Sequence, residues 1–260
     1  MASILQHLRY HLNTRCLLCT LPLIRGPHDP DATSIGAMGP SYKGVLCGVC
    51  AAVAYKQVRW RCQRCKVAHL GDVMPAGLRC ELCQTRPLAL TQLAVALDYM
   101  APVDSLVWRF KSLLQLRMAP QLAQLMLAAI QAEAWPLPPN TWVVAIPARR
   151  QAIVQRGFNP AAELARYVAA GLGLRWHASA LALRQPEALH AQKNRSQDQR
   201  WLYAQRAFQW CSKTTPTTLL VVDDVFTTGS TLHGAALCAQ AQGVQQVYGV
   251  ALARTPWLSD

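Results

Sequence analysis

The stretch Leu219-Leu-Val-Val-Asp-Asp-Val-Phe-Thr-Thr-Gly-Ser-Thr231 limits what this chain can fold into more than any other. The apolar run Leu219–Val222 predicts a buried strand. It is read as ending at Asp223-Asp224, followed by a short turn holding Thr227, Thr228 and Gly229. A helix is expected from Ser230 to Gln242, closed by Gly243, and a further strand over Val247–Leu252. Strand–helix–strand order requires parallel pairing through a right-handed crossover. Open parallel sheets bind their ligands at the carboxyl ends of strands, where this turn falls. A helix start there presents unpaired N–H groups and the positive end of the helix dipole, both of which favour an anion.

The side chains narrow the ligand. Thr227, Thr228, Ser230 and Thr231 add hydroxyl donors beside Val225 and Phe226, and Gly229 lets the backbone approach a phosphate closely. An anion alone has no use for Asp223 and Asp224. Two carboxylates beside a phosphate accept hydrogen bonds from two neighbouring hydroxyls, and a ribose 5-phosphate offers a phosphate and a vicinal diol in that arrangement. The bland alternative is a hydroxyl-rich turn capping an ordinary helix. A nucleotide P-loop is excluded, because no Gly-x-x-x-x-Gly-Lys-Ser/Thr occurs.

Alternation of strand and helix extends through residues 141–260. Trp142–Ile146 is read as a strand and Asn159–Ala170 as a helix, with Asn159-Pro160 as cap and first turn. The fold class is therefore α/β: a parallel sheet flanked by helices, with a small N-terminal zinc-binding module. Residues 1–90 are assigned to the module and 91–260 to the sheet domain, in which 91–140 is a bridging segment and 141–260 the core. In the bridge, Leu93–Tyr99 is read as a short strand, and apolar residues from Met118 recur with helical spacing. Gly26–Gly44 is read as a loop. No apolar run reaches the roughly 18–20 residues of a membrane span, and no signal-peptide block is visible, so a cytoplasmic location is expected.

The module rests on four Cys-x-x-Cys pairs, Cys16/Cys19, Cys47/Cys50, Cys62/Cys65 and Cys80/Cys83. One such pair grips a metal from a tight turn, and two complete a tetrahedral site, so eight thiolates predict two structural Zn²⁺ ions. A thioredoxin-like redox role would need a pair at a helix start within a βαβ unit. Consecutive pairing closes the shorter loops and is preferred, with a crossed pairing left open. Cys211 and Cys238 stand outside these pairs.

The formal charge of +13 is spread along the whole chain and suits a polyanionic partner. Arg59, Trp60, Arg61, Arg64 and Lys66 place cations beside an indole, the composition of a groove for single-stranded nucleic acid. General solubility and packing of a small domain account for the same residues otherwise.

The phosphate segment matches the phosphoribosyl pyrophosphate motif of type I phosphoribosyltransferases. Together with the cysteine pairs, Arg109-Phe110-Lys111, Ile146-Pro147 and Arg156-Gly157-Phe158-Asn159, it makes nearly the whole chain resemble the ComF (GntX-like) family, bacterial proteins associated with DNA uptake and DNA use. The resemblance implies that Asp223 and Asp224 hold the ribose hydroxyls as catalytic-site residues and that Val225–Thr231 hold the 5-phosphate. It implies a pyrophosphate loop at Ala148, Arg149 and Arg150, and Mg²⁺ carried with the pyrophosphate. Gln192–Phe208 resembles the family's mobile loop and following strand, although Lys193-Asn194-Arg195 and Tyr203 depart from the family pattern. Two functions stay open: transfer of a phosphoribosyl group, and non-catalytic handling of single-stranded DNA.

Overall fold

The computed structural model describes residues 15–23, 44–55, 60–69, 79–184, 197–204 and 206–256. Among them the elements are, in chain order, α1 (Gly48–Ala54), β1 (Trp60–Arg61), β2 (Ala68–His69), α2 (Glu81–Thr85), β3 (Gln92–Asp98), α3 (Val103–Ser112), α4 (Ala119–Ala132), β4 (Trp142–Ala145), α5 (Arg150–Arg156), α6 (Pro160–Leu172), β5 (Arg175–Trp176), β6 (Leu181–Leu183), α7 (Gln197–Ala204), β7 (Phe208–Trp210), β8 (Thr218–Phe226), α8 (Ser230–Gln240) and β9 (Gln246–Arg254). Five strands form one parallel sheet in the order β3-β9-β8-β4-β5. The pairs β1–β2 and β6–β7 are separate antiparallel ribbons. The fold class expected from the sequence is the one observed.

Period-two alternation in β8 feeds two cores. Leu220 and Val222 point into a cluster with Leu106, Phe110, Leu122, Met126 and Leu164, whereas Leu219 and Val221 pack with Leu232, Ala235 and Ala236 of α8. Helices thus cover both faces, which is why β8 reads as a continuous apolar run. Asn159 caps α6 by accepting the Ala161 N–H, and Pro160 occupies its first turn.

Two expectations are revised. Strand β8 does not stop at the acidic pair but continues to Phe226, because β9 runs beside it as far as Arg254, opposite Phe226. The segment read as a bridge supplies the edge strand β3 and two helices of the core. Helix α3 buries Val103, Leu106, Val107 and Phe110, an i, i+3, i+4, i+7 set.

The cysteine-rich residues share these cores with the sheet. Cys16, Val45, Leu46 and Ala54 pack with Leu97 and Leu106, and Cys62, Cys65, Val67 and Cys83 with Leu88, Phe226 and Leu232. Most of the Gly26–Gly44 stretch lies outside the described residues. Among the described residues, no helix is long and apolar enough to cross a membrane.

Candidate functional site

Four cysteine sulfurs gather at each of two places, Cys16/Cys19/Cys47/Cys50 and Cys62/Cys65/Cys80/Cys83, with the ligand atoms of each set within 4.8 Å of one another. The pairing is consecutive, as the shorter loops favour. The sulfurs of Cys19 and Cys47 lie 3.8 Å apart and those of Cys65 and Cys80 3.6 Å. Tetrahedral zinc with Zn–S bonds of about 2.3 Å requires an S···S edge of about 3.8 Å. Backbone N–H groups also point at sulfur, Cys47 to Cys16 Sγ and Cys80 to Cys62 Sγ, each at 3.4 Å. Both sets fit Zn²⁺.

Asp223 and Asp224 stand on β8 where it nears its carboxyl end. Asp223 is buried and Asp224 half-buried. Asp223 accepts the Asp224 N–H at 2.9 Å, and Asp224 accepts the Val225 N–H at 2.7 Å. Burial first, and then the charge of Asp224, pushes the Asp223 carboxyl up to about 8. Lys111 of α3 answers the remaining charge, with Nζ 2.7 Å from Asp224 Oδ2. The Lys111 ammonium stands on Asp224 where a directly held cation would otherwise sit. The Mg²⁺ implied by the family resemblance would belong to the ligand's pyrophosphate.

The turn after Phe226 is tightly built. Thr228 Oγ1 donates to Ser230 Oγ at 3.1 Å and accepts the Ser230 N–H at 3.4 Å. Thr227 and Thr231 are exposed, Val225 is half-buried, and Phe226, Gly229 and Ser230 are buried. Gly229 has φ +82°, and a Cβ there would fall 2.5 Å from the Phe226 ring and 2.9 Å from Leu88. Only glycine meets both demands. One turn on, His233 Nδ1 accepts the Ala89 N–H at 3.0 Å, and its ring stacks on Trp201.

The neighbouring strand β4 brings Ile146–Arg150 to the same end of the sheet, since Ala145 pairs with Val222. Asn159 donates to the Ile146 carbonyl at 2.9 Å while its Oδ1 caps α6, so one side chain fixes both the loop and the helix behind it. Ala148 and Arg149 are half-buried, and Arg150 is exposed at the start of α5. Helix α5 buries none of its residues and carries Arg150 and Arg156 on its surface. The family resemblance implied one site for the two loops, and the parallel order of β4 and β8 brings them to the same end of the sheet.

The basic residues near the second cysteine set hold the module to the sheet. Arg61 grips Asp98, at the carboxyl end of β3, through two bonds of 2.9 and 2.7 Å, and lies over the Tyr55 ring. Arg64 donates to the carbonyls of Leu88, Leu90 and Thr91. Lys66 pairs with Glu133 at 2.7 Å. Trp60 is half-buried in β1. Arg59 and Gln192 lie outside the described residues. Arg254, which sequence reasoning passed over, is 2% exposed and donates from Nε to the Cys65 carbonyl at 3.1 Å. Lys111 was singled out only through the family resemblance. A lysine eight residues beyond a helix start carries no signal of a carboxylate more than a hundred residues away.

No family model matches the chain. Three curated relatives cover nearly its full length. DNA utilization protein YhgH of Salmonella typhi is 28% identical over 247 residues, spanning 92% of this chain and 96% of that protein. The protein of the same name from Salmonella typhimurium strain LT2 is 28% identical over 244 residues, again 92% and 96%. That of Escherichia coli O6:H1 is 25% identical over 244 residues with the same coverage.

Proposed function

We propose that this protein binds the ribose 5-phosphate group of phosphoribosyl pyrophosphate or a related compound at the carboxyl ends of β8 and β4, and works in DNA utilisation. The observation that carries the first half is the juxtaposition of a carboxylate pair, a hydroxyl-rich turn at the start of α8, and a loop with Arg149 and Arg150 on the adjoining strand. The turn's N–H and hydroxyl groups take the phosphate, the carboxylates take the diol, and guanidinium groups suit pyrophosphate oxygens. The second half rests on the names of the relatives, which align with 92% of the chain.

The test is calorimetric titration with phosphoribosyl pyrophosphate and ribose 5-phosphate. Asp223→Asn with Asp224→Asn should weaken binding by about 1–3 kcal/mol, chiefly through the charge-assisted bond lost at Asp224. Unchanged binding in the double variant refutes the assignment. Release of pyrophosphate in the presence of a candidate acceptor separates phosphoribosyl transfer from binding alone.

Single-stranded DNA is the partner in a second reading, favoured by the relatives' names and by the exposed Arg150 and Arg156 on α5. Each phosphate contact releases a condensed counterion, so binding should fall with salt by about 0.7 log units per log unit for each contact. Replacing Arg150 and Arg156 with alanine should flatten that slope. Absence of binding at low salt sinks this reading and leaves the ribose-phosphate reading standing.

A further inference from the structure

The second four-cysteine set and the turn 227–230 hang from the same side chains. Arg254 ends β9, opposite Phe226. Its guanidinium is always charged, is 2% exposed, and among the described residues pairs with no carboxylate. On one side it meets Cys65, through the carbonyl at 3.1 Å and the sulfur at 3.8 Å. On the other it lies over the Phe226 ring, 4.9 Å from the centroid. It also donates to the Thr255 carbonyl and, at 3.0 Å, to the Thr255 hydroxyl. Thr255 in turn donates its N–H to the Phe226 carbonyl at 3.0 Å. Phe226 is the residue whose ring abuts Gly229.

A second route runs the same way. Arg64, between Cys62 and Cys65, holds the carbonyls of Leu88 and Leu90 at 2.9 Å. Leu88 is the other neighbour of Gly229, and Ala89 donates to His233 one turn into α8. Both walls of the turn are thus fixed by residues that the Cys62–Cys65 knuckle holds. Among the described residues, the first cysteine set packs in the other core cluster, away from both walls. Its tie is to α3, where Arg109 donates to the Leu17 carbonyl at 2.8 Å.

We propose that Arg254 is a positioning residue for the anion-binding turn, and that metal in the second four-cysteine set fixes the turn through Arg254 and Arg64. Without the metal, the Cys62–Cys65 knuckle loses the bonds that fix it. The guanidinium is then left buried with its Cys65 contacts loosened. It shifts, Phe226 shifts with it, and the seat of Gly229 opens. The site binds its ligand only while the second set is loaded, and by reciprocity a bound ligand retains that metal. The coupling stands on these contacts, and its consequence for ligand binding rests on the ribose-phosphate reading.

Hydrogen exchange on the full-length protein tests the coupling without any ligand. Cys83→Ser, which opens the second set, should speed exchange of the amides of 226–233 by about tenfold, with α4 still protected. Cys50→Ser, in the first set, should not. Arg254→Met should retain both metals, show the same faster exchange and bind ribose 5-phosphate about tenfold more weakly, with Arg254→Lys restoring part of the affinity. In the wild type, ribose 5-phosphate should slow removal of one of the two zinc equivalents by a chelator. Unchanged exchange at 226–233 after loss of the second metal, with α4 intact, overturns the proposal, as does wild-type affinity in Arg254→Met. If Arg254→Met fails to fold, the comparison of Cys83→Ser with Cys50→Ser decides. If the wild type binds neither ribose 5-phosphate nor phosphoribosyl pyrophosphate, the ribose-phosphate reading falls, and the exchange comparison still decides the coupling.

Discussion

Replacing Asp223 with asparagine keeps the shape of the side chain and removes its ability to ionise. The acceptor for the Asp224 N–H, now 2.9 Å away, survives the change. In the unfolded chain this carboxyl titrates near 3.8, whereas in the fold burial and the adjacent Asp224 push it up to about 8. Between those values the folded protein holds a proton that the unfolded chain has released, so stability falls as pH rises through this window. At about 1.4 kcal/mol per pH unit, the loss accumulated by pH 7 is bounded by about 4 kcal/mol. Water reaching the half-buried Asp224 screens part of it, and a net value of about 1–2 kcal/mol is expected. Asp223→Asn should therefore stabilise the ligand-free protein by that amount near pH 7 and hardly at all near pH 4, while weakening ribose 5-phosphate binding. Urea unfolding of both proteins across this pH range measures the first effect, and calorimetric titration the second. A variant less stable than the wild type near pH 7, or one with the same pH slope, refutes the reasoning.

Metal analysis of the purified protein should return about two zinc ions per chain, and intact disulfides with no metal would contradict the thiolate geometry. Arg61→Ala leaves Asp98, 3% exposed, without its bidentate partner, and should cost about 3 kcal/mol in thermal or urea unfolding. A fully stable Arg61→Ala protein that has lost DNA binding would instead restore the nucleic-acid role first read from that residue. Lys111→Met should cost about 1 kcal/mol near pH 7, and the loss should vanish in an Asp224→Asn background. Additive losses in that double-mutant cycle would show that the ammonium acts elsewhere.

The parts legible in the sequence were those whose signal is local. The apolar run of β8, the Asn159-Pro160 cap and the four cysteine pairs each announce themselves within a few residues. The end of β8 was misjudged because aspartate is a poor strand residue. What overrides that preference is β9, a pairing that no local window contains. Helix α3 had its own i, i+3, i+4, i+7 signal in Val103, Leu106, Val107 and Phe110 and was found only in the structure. The cations at 61, 64 and 66 looked like a polyanion patch because composition does not reveal distant partners. Asp98, the carbonyls of 88–91 and Glu133 claim them in the fold. Arg254 was invisible for the same reason, since the Cys65 it contacts lies 189 residues away in the sequence.

The place of β3 has a consequence for how the molecule is made. Among the described residues its one neighbour in the sheet is β9, and Gln92 stands opposite Tyr248. Ribosomes deliver β3 early and β9 late, so most of the polypeptide is synthesised while Leu93, Val95 and Leu97 wait beside an unfilled row of backbone donors and acceptors. Such long-range parallel pairing is slow to form, and an open edge is a template for self-association. The eight cysteines, in contrast, emerge first, and each set is complete before α3 exists. A nascent or truncated chain can therefore be fully metallated and still lack the strand that seats its second knuckle. Zinc content would certify the knuckles and say nothing about whether the sheet has closed.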